Sequence, residues 1–139
     1  MRKKVAILAL GMALWAGVAG AAEDEKERLA VAAALSWLAL VDDGGYVESW
    51  NGACEYFRKA VTAEQWKQSL GAVRSPLGSV VSREVASTSY QTSLPGAPDG
   101  EYVVVQLNSV FEHKKAAVET VTPMLEADGK WRVSGYYIK

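Results

Sequence analysis

The period of the apolar pattern changes once along this chain, and that change limits its fold more than any other feature. Up to Val73, apolar residues recur at helical spacing; after Gly78 the sequence turns to strand-like runs of Val, Ser and Thr. Ser75-Pro76 marks the boundary, because proline disfavours helix in the residue before it. Helices first and antiparallel strands after predict an α+β domain with three N-terminal helices on one side of a four-stranded sheet.

The first helix is expected over 23–41. Glu23, Asp24, Glu25 and Glu27 crowd its positive end, and Asp24 can pair weakly with Arg28. From Leu29 to Val41 only Ser36 is polar, which predicts a central helix covered on several sides. Asp42-Asp43-Gly44-Gly45 ends it through a left-handed glycine cap, and the two aspartates read as solvated turn residues in preference to a functional pair. A second helix over 46–60 carries Tyr46, Trp50, Ala53, Phe57 and Val61, with Cys54 mid-helix on the border of that stripe. Thr62 and Gln65 form a capping box that opens a third helix running to about Val73.

Strands are expected over 80–92, 101–111, 116–127 and 130–138, with Pro123 at a bulge or on an edge. Residues 93–100 (SLPGAPDG) form a loop, and Asp128-Gly129 is a hairpin signal. A two-residue loop there sets Glu126 opposite Trp131, Met124 opposite Val133, Thr122 opposite Gly135 and Thr120 opposite Tyr137. Leu125, Val121, Glu119, Tyr136 and Ile138 fall on the other face. Both faces then carry apolar residues, which points to a homodimer through the sheet.

Residues 1–21 read as an export signal: Arg2, Lys3 and Lys4, then uncharged Val5 to Val18, then Ala19-Gly20-Ala21. The apolar run is too short to cross a ~30 Å hydrocarbon core, so cleavage near Ala21-Ala22 and no stable membrane insertion afterwards are expected. The mature domain is residues 22–139, periplasmic or secreted. Losing the three basic residues moves the formal charge from −1 to −4, which gives no electrostatic reason to bind nucleic acid. Cys54 is the one cysteine, so it is either a buried hydrophobe or a partner for another chain. One histidine, His113, stands in a turn beside Lys114 and Lys115; no metal or other cofactor is expected.

Several segments together resemble a known family: Trp37-Leu38-Ala39-Leu40-Val41-Asp42, Ser49-Trp50, Arg74-Ser75-Pro76-Leu77-Gly78, Leu94 to Tyr102, Glu119-Thr120-Val121 and Gly129 to Tyr137. They are similar to the bacterial family catalogued as domain of unknown function 4019. The order of elements also resembles the nuclear-transport-factor-two-like superfamily, which implies a cone of bent sheet around the long first helix. The resemblance implies fold and export, and carries no activity.

Related cones include ketosteroid isomerase, so acid/base chemistry is the enzymatic alternative. Glu119 is the carboxylate set inside an apolar strand, with Tyr136 on its face; it is either a buried general base or the partner of an arginine such as Arg83 or Arg132. Arg74 and Arg83 either hold an anionic ligand or cap a helix and pair with a strand carboxylate. The favoured reading is a non-catalytic module that binds a small apolar or anionic ligand or a partner protein. Its candidate ligand residues are Trp50, Trp66, Arg74, Arg83, Tyr90, Tyr102 and Glu119, with entry near the 93–100 loop and the Arg74-to-Arg83 segment.

Overall fold

The computed structural model describes the backbone from Arg2 and the side chains from Gly20 onward. The export-signal reading falls largely outside the described residues. The order is α1 (Arg2–Asp42), α2 (Tyr46–Asn51), α3 (Glu55–Ala60), α4 (Ala63–Arg74), a short 3-10 turn (Ser75–Leu77), then β1 (Val80–Gln91), β2 (Tyr102–Phe111), β3 (Lys114–Leu125) and β4 (Trp131–Ile138). Among the described residues no helix is long and apolar enough to cross a membrane.

Ala30, Ala34, Trp37, Leu38 and Val41 recur on one face of α1 and are buried against the inner face of the sheet. Both flanks are open: Leu29 is 42% and Leu40 37% exposed on one, and Leu35 is 42% exposed on the other. The expectation of cover on several sides is thus corrected. Strands floor the helix along one stripe, and α2 flanks it near its end. Gly44 ends α1 at φ +80, with the Gly45 N–H donating to Leu40 O at 2.8 Å and the Gly44 N–H to Val41 O at 3.0 Å. This is a Schellman cap, as the two glycines predict.

The expected helix over 46–60 is two helices, so four α-helices precede the sheet instead of three. Gly52 closes α2, and Cys54 takes an extended conformation (φ −69, ψ 161) as the N-cap of α3, its sulfur accepting from the Phe57 N–H. Cys54 also donates its N–H to Val133 O at 2.9 Å, which ties the break to β4. The mid-helix placement of Cys54 is therefore corrected. Burial pushes its thiol pKa up despite the helix start in front of it. The Thr62–Gln65 capping box forms as expected and starts α4.

The sheet is an antiparallel meander in the order β1-β2-β3-β4. Its inner face buries Val103, Val105, Leu107, Val121 and Val133 almost completely. Each such side chain contributes roughly 1.5–3 kcal/mol. The β3–β4 register near the turn is one residue off expectation. Glu126 pairs with Lys130 and Gly129 takes φ +82, which makes a three-residue loop in place of two. Leu125 then faces Trp131, and Pro123 faces Val133. A bulge between Thr122 and Pro123 restores Thr122 opposite Gly135 and Thr120 opposite Tyr137. The outer face is mixed. β1 and β2 bring exposed Ser82, Glu84, Ser87, Gln106 and Asn108 beside half-buried Val104 and Val110.

Candidate functional site

Glu119 sits opposite Leu107 on β2 and Ile138 on β4, so strand alternation alone drives its carboxylate into an apolar row. It is 0% exposed. An isolated charge there would be untenable, and three donors meet it. Arg83 Nε lies 2.7 Å and Ser109 Oγ 2.5 Å from Oε1; the Tyr136 hydroxyl donates to Oε2 at 2.5 Å. Burial and the Glu119 charge push the Tyr136 hydroxyl far above the ordinary tyrosine pKa, so it remains a donor.

Arg83 carries the network outward. Its Nη1 and Nη2 donate to the two oxygens of Asp42 at 2.7 and 3.0 Å, a bidentate pair. Arg74 adds Nη2 to Asp42 Oδ1 at 2.8 Å, and its guanidinium lies 4.8 Å from the centre of the Phe111 ring. Burial alone would raise the Asp42 carboxyl; the bonds from Arg83 and Arg74 outweigh it and hold the pKa below the usual value. The reading of Asp42 as a solvated turn residue is thereby corrected. Asp42 lies one turn after Leu38, so helix phase directs it toward the sheet.

Beside this cluster, α4 and the edge of β4 enclose a cleft of about 260 Å³. Trp66, Leu70 and Val73 supply one wall from a single helix face; Tyr136 and Ile138 supply the other. Trp66 is fixed from behind. Its indole N–H donates to Ser49 Oγ at 2.9 Å, and its ring meets Phe57 edge-on at 4.9 Å between centres. Tyr136 packs edge-on against Trp37 at 5.3 Å. A larger depression, about 450 Å³, crosses the outer sheet face between Glu84, Asn108, Lys115 and Val118, and has no aromatic wall.

Of the expected ligand residues, Trp66 lines the cleft, while Arg74, Arg83 and Glu119 belong to the ionic cluster next to it. The other three lie apart. Trp50 donates its indole N–H to Val61 O at 2.8 Å and packs on the Ala53–Cys54–Phe57 group. Tyr90 donates to Glu101 at 2.7 Å, with the Lys26 ammonium 5.2 Å from its ring centre. Tyr102 is fully buried and donates to Pro98 O at 2.5 Å, closing the 93–100 loop. Asp42 and Ser109 were not legible as members of the cluster. Ser109 gave no sequence signal beyond strand alternation.

A family model described as "Protein of unknown function (DUF4019)" matches residues 33–136. No curated protein and no solved structure matches the chain.

Proposed function

This chain belongs to the DUF4019 family of proteins of unknown function, and we propose that it serves as an exported, non-catalytic module that binds a small apolar ligand between α4 and β4. The observation that carries the reading is the cleft of about 260 Å³ walled by Trp66, Leu70, Val73, Tyr136 and Ile138. Ligand sites are concave and mostly apolar, with a few fixed polar groups, and this cleft has that character at a volume just below the usual ~300–1,000 Å³ range. The pocket-enzyme alternative has less support. Three donors already hold the Glu119 carboxylate, Arg83 and Ser109 on one oxygen and Tyr136 on the other, and Glu119 is fully buried, which favours a structural pair over a substrate-facing base. The leader-like residues 1–21 support export. A long helix laid across a four-stranded meander supports membership of the nuclear-transport-factor-two-like superfamily with its cone.

Titration with 1-octanol, followed by backbone amide NMR shifts, tests the reading. Saturable shifts centred on Ser69–Val73 and Tyr136–Ile138 are expected. Val73→Trp fills the mouth of the cleft and abolishes them, at a position already 46% exposed and so tolerant of size. Equal octanol affinity in that variant overturns the assignment.

A further inference from the structure

We propose that the cleft receives an extended segment of a partner protein, which adds to β4 as a fifth strand; this rests on the α4–β4 cleft being the ligand site. β4 is an edge strand, since the sheet runs β1-β2-β3-β4 and no strand lies beyond it among the described residues. The phase of its ladder decides which groups face outward. Val118 and Lys139 exchange both backbone hydrogen bonds at 3.0 Å. Bonded and non-bonded pairs alternate in an antiparallel ladder, and the register runs unbroken from there through Ile138, Tyr137 and Tyr136. Tyr137 therefore bonds to Thr120, while Tyr136 and Ile138 turn their N–H and C=O away from β3. No loop or helix backbone among the described residues bonds to those four groups. The cleft runs along this edge. Tyr136, Tyr137 and Ile138 all line it, although the Tyr137 side chain points to the opposite face of the sheet from its two neighbours.

Elsewhere the edges of the sheet are guarded. The Cys54 N–H caps Val133 O at 2.9 Å, which blocks the first half of β4. β1, the other edge, carries two register shifts, between Val80 and Ser82 and between Val85 and Ser87, and points the charged Arg83 inward. Bulges and inward charges are how natural edges refuse a further strand, and residues 136–138 have neither. The chemistry of the open stretch selects its partner. No charged side chain lines the cleft, so a charged group finds no counterion in it and a neutral occupant is matched. What the edge offers is two N–H donors and two C=O acceptors in alternation, the complement of another extended backbone. The helical wall of Trp66, Leu70 and Val73 would take that segment's alternate side chains, which lie on the Tyr136 and Ile138 face. β-branched residues suit both a strand and a cleft of about 260 Å³. Tyr136 to Ile138 spans about 7 Å, so roughly three to five residues engage it.

The test titrates the purified protein with the blocked pentapeptide acetyl-Thr-Val-Thr-Val-Thr-amide, with the same peptide N-methylated at both valines, and with 1-octanol, each followed by amide NMR shifts. Saturable binding of the unmethylated peptide is expected, with slowed exchange of the Tyr136 and Ile138 amide protons. The methylated peptide keeps the side chains but loses the backbone donors, and should bind at least about tenfold more weakly. Val73→Trp abolishes peptide binding as it does octanol binding; if that variant does not fold, the two peptides on the natural chain decide alone. Equal affinity for the two peptides, or slowed exchange along β1 instead of β4, overturns this inference and leaves the cleft as an apolar site. Octanol binding with no peptide binding does the same. If neither octanol nor peptide binds, the cleft assignment falls and this inference with it.

Discussion

Glu119 and Asp42 are held in different ways, and their substitutions separate accordingly. Glu119→Gln leaves Arg83 with a neutral partner inside the sheet. Removing one charge of a buried pair costs about 3–5 kcal/mol, and denaturant unfolding should show that loss with octanol binding unchanged in the folded fraction. A changed affinity at full stability would contradict the structural role. Asp42 has its folded pKa below the ordinary 3.8. Its contribution is therefore fully present above 3.8 and is lost as pH falls through the lower folded value. Asp42→Asn should flatten the acid limb of the stability curve in that window, and an unchanged limb would contradict it. An arginine partner for Glu119 was legible, since an apolar strand can keep a carboxylate only with a cation, but the sequence left Arg83 and Arg132 open; Arg83 takes the role and Arg132 pairs with Glu126 and Asp128. Asp42 was obscured because its neighbours Asp43-Gly44-Gly45 carry a turn signal that outweighed helix phase.

Glycine positions separate strain from crowding at the level of elements. Gly129 and Gly78 both have positive φ, +82 and +74. A side chain at Gly129 meets nothing within 4 Å, whereas one at Gly78 would lie 2.9 Å from Glu112 Oε1 and 3.0 Å from His113. Gly129→Ala should then cost only the left-handed penalty, ~1–2 kcal/mol. Gly78→Ala should cost clearly more, because ψ is −160 there, in a region open essentially to glycine alone. Thermal unfolding of the two variants checks the order, and equal losses would contradict it. Element types and most boundaries were readable from period, the Thr62 capping box and Ser75-Pro76. Three details were not. The acidic cluster at residues 23–27 reads as a helix start, whereas α1 runs through it from Arg2 to Asp42. Asp128-Gly129 suits both two- and three-residue loops, and the Gly52–Cys54 break hides inside an unbroken apolar stripe.

For the whole molecule, helices-then-strands fixed the α+β class, while the composition of the outer face emerged only once β1 and β2 joined β3 and β4. Pairing through that face remains our proposal for self-association. Val118 and Tyr137 are 37% and 52% exposed there, and Glu84 and Lys115 line one depression, a self-complementary pair under two-fold symmetry. Sedimentation at micromolar concentration should give twice the chain mass; a monomer contradicts it. The cleft was beyond sequence reasoning, because it depends on how far α4 stands from β4. It also has rivals for apolar ligands in the exposed leucines of α1, Leu29 and Leu40 on one flank and Leu35 on the other. Intermolecular NOEs from bound 1-octanol discriminate these surfaces directly. Contacts from its methylenes to Trp66, Leu70, Val73 and Ile138 are the predicted result; contacts confined to Leu29, Leu35 and Leu40 would contradict the account.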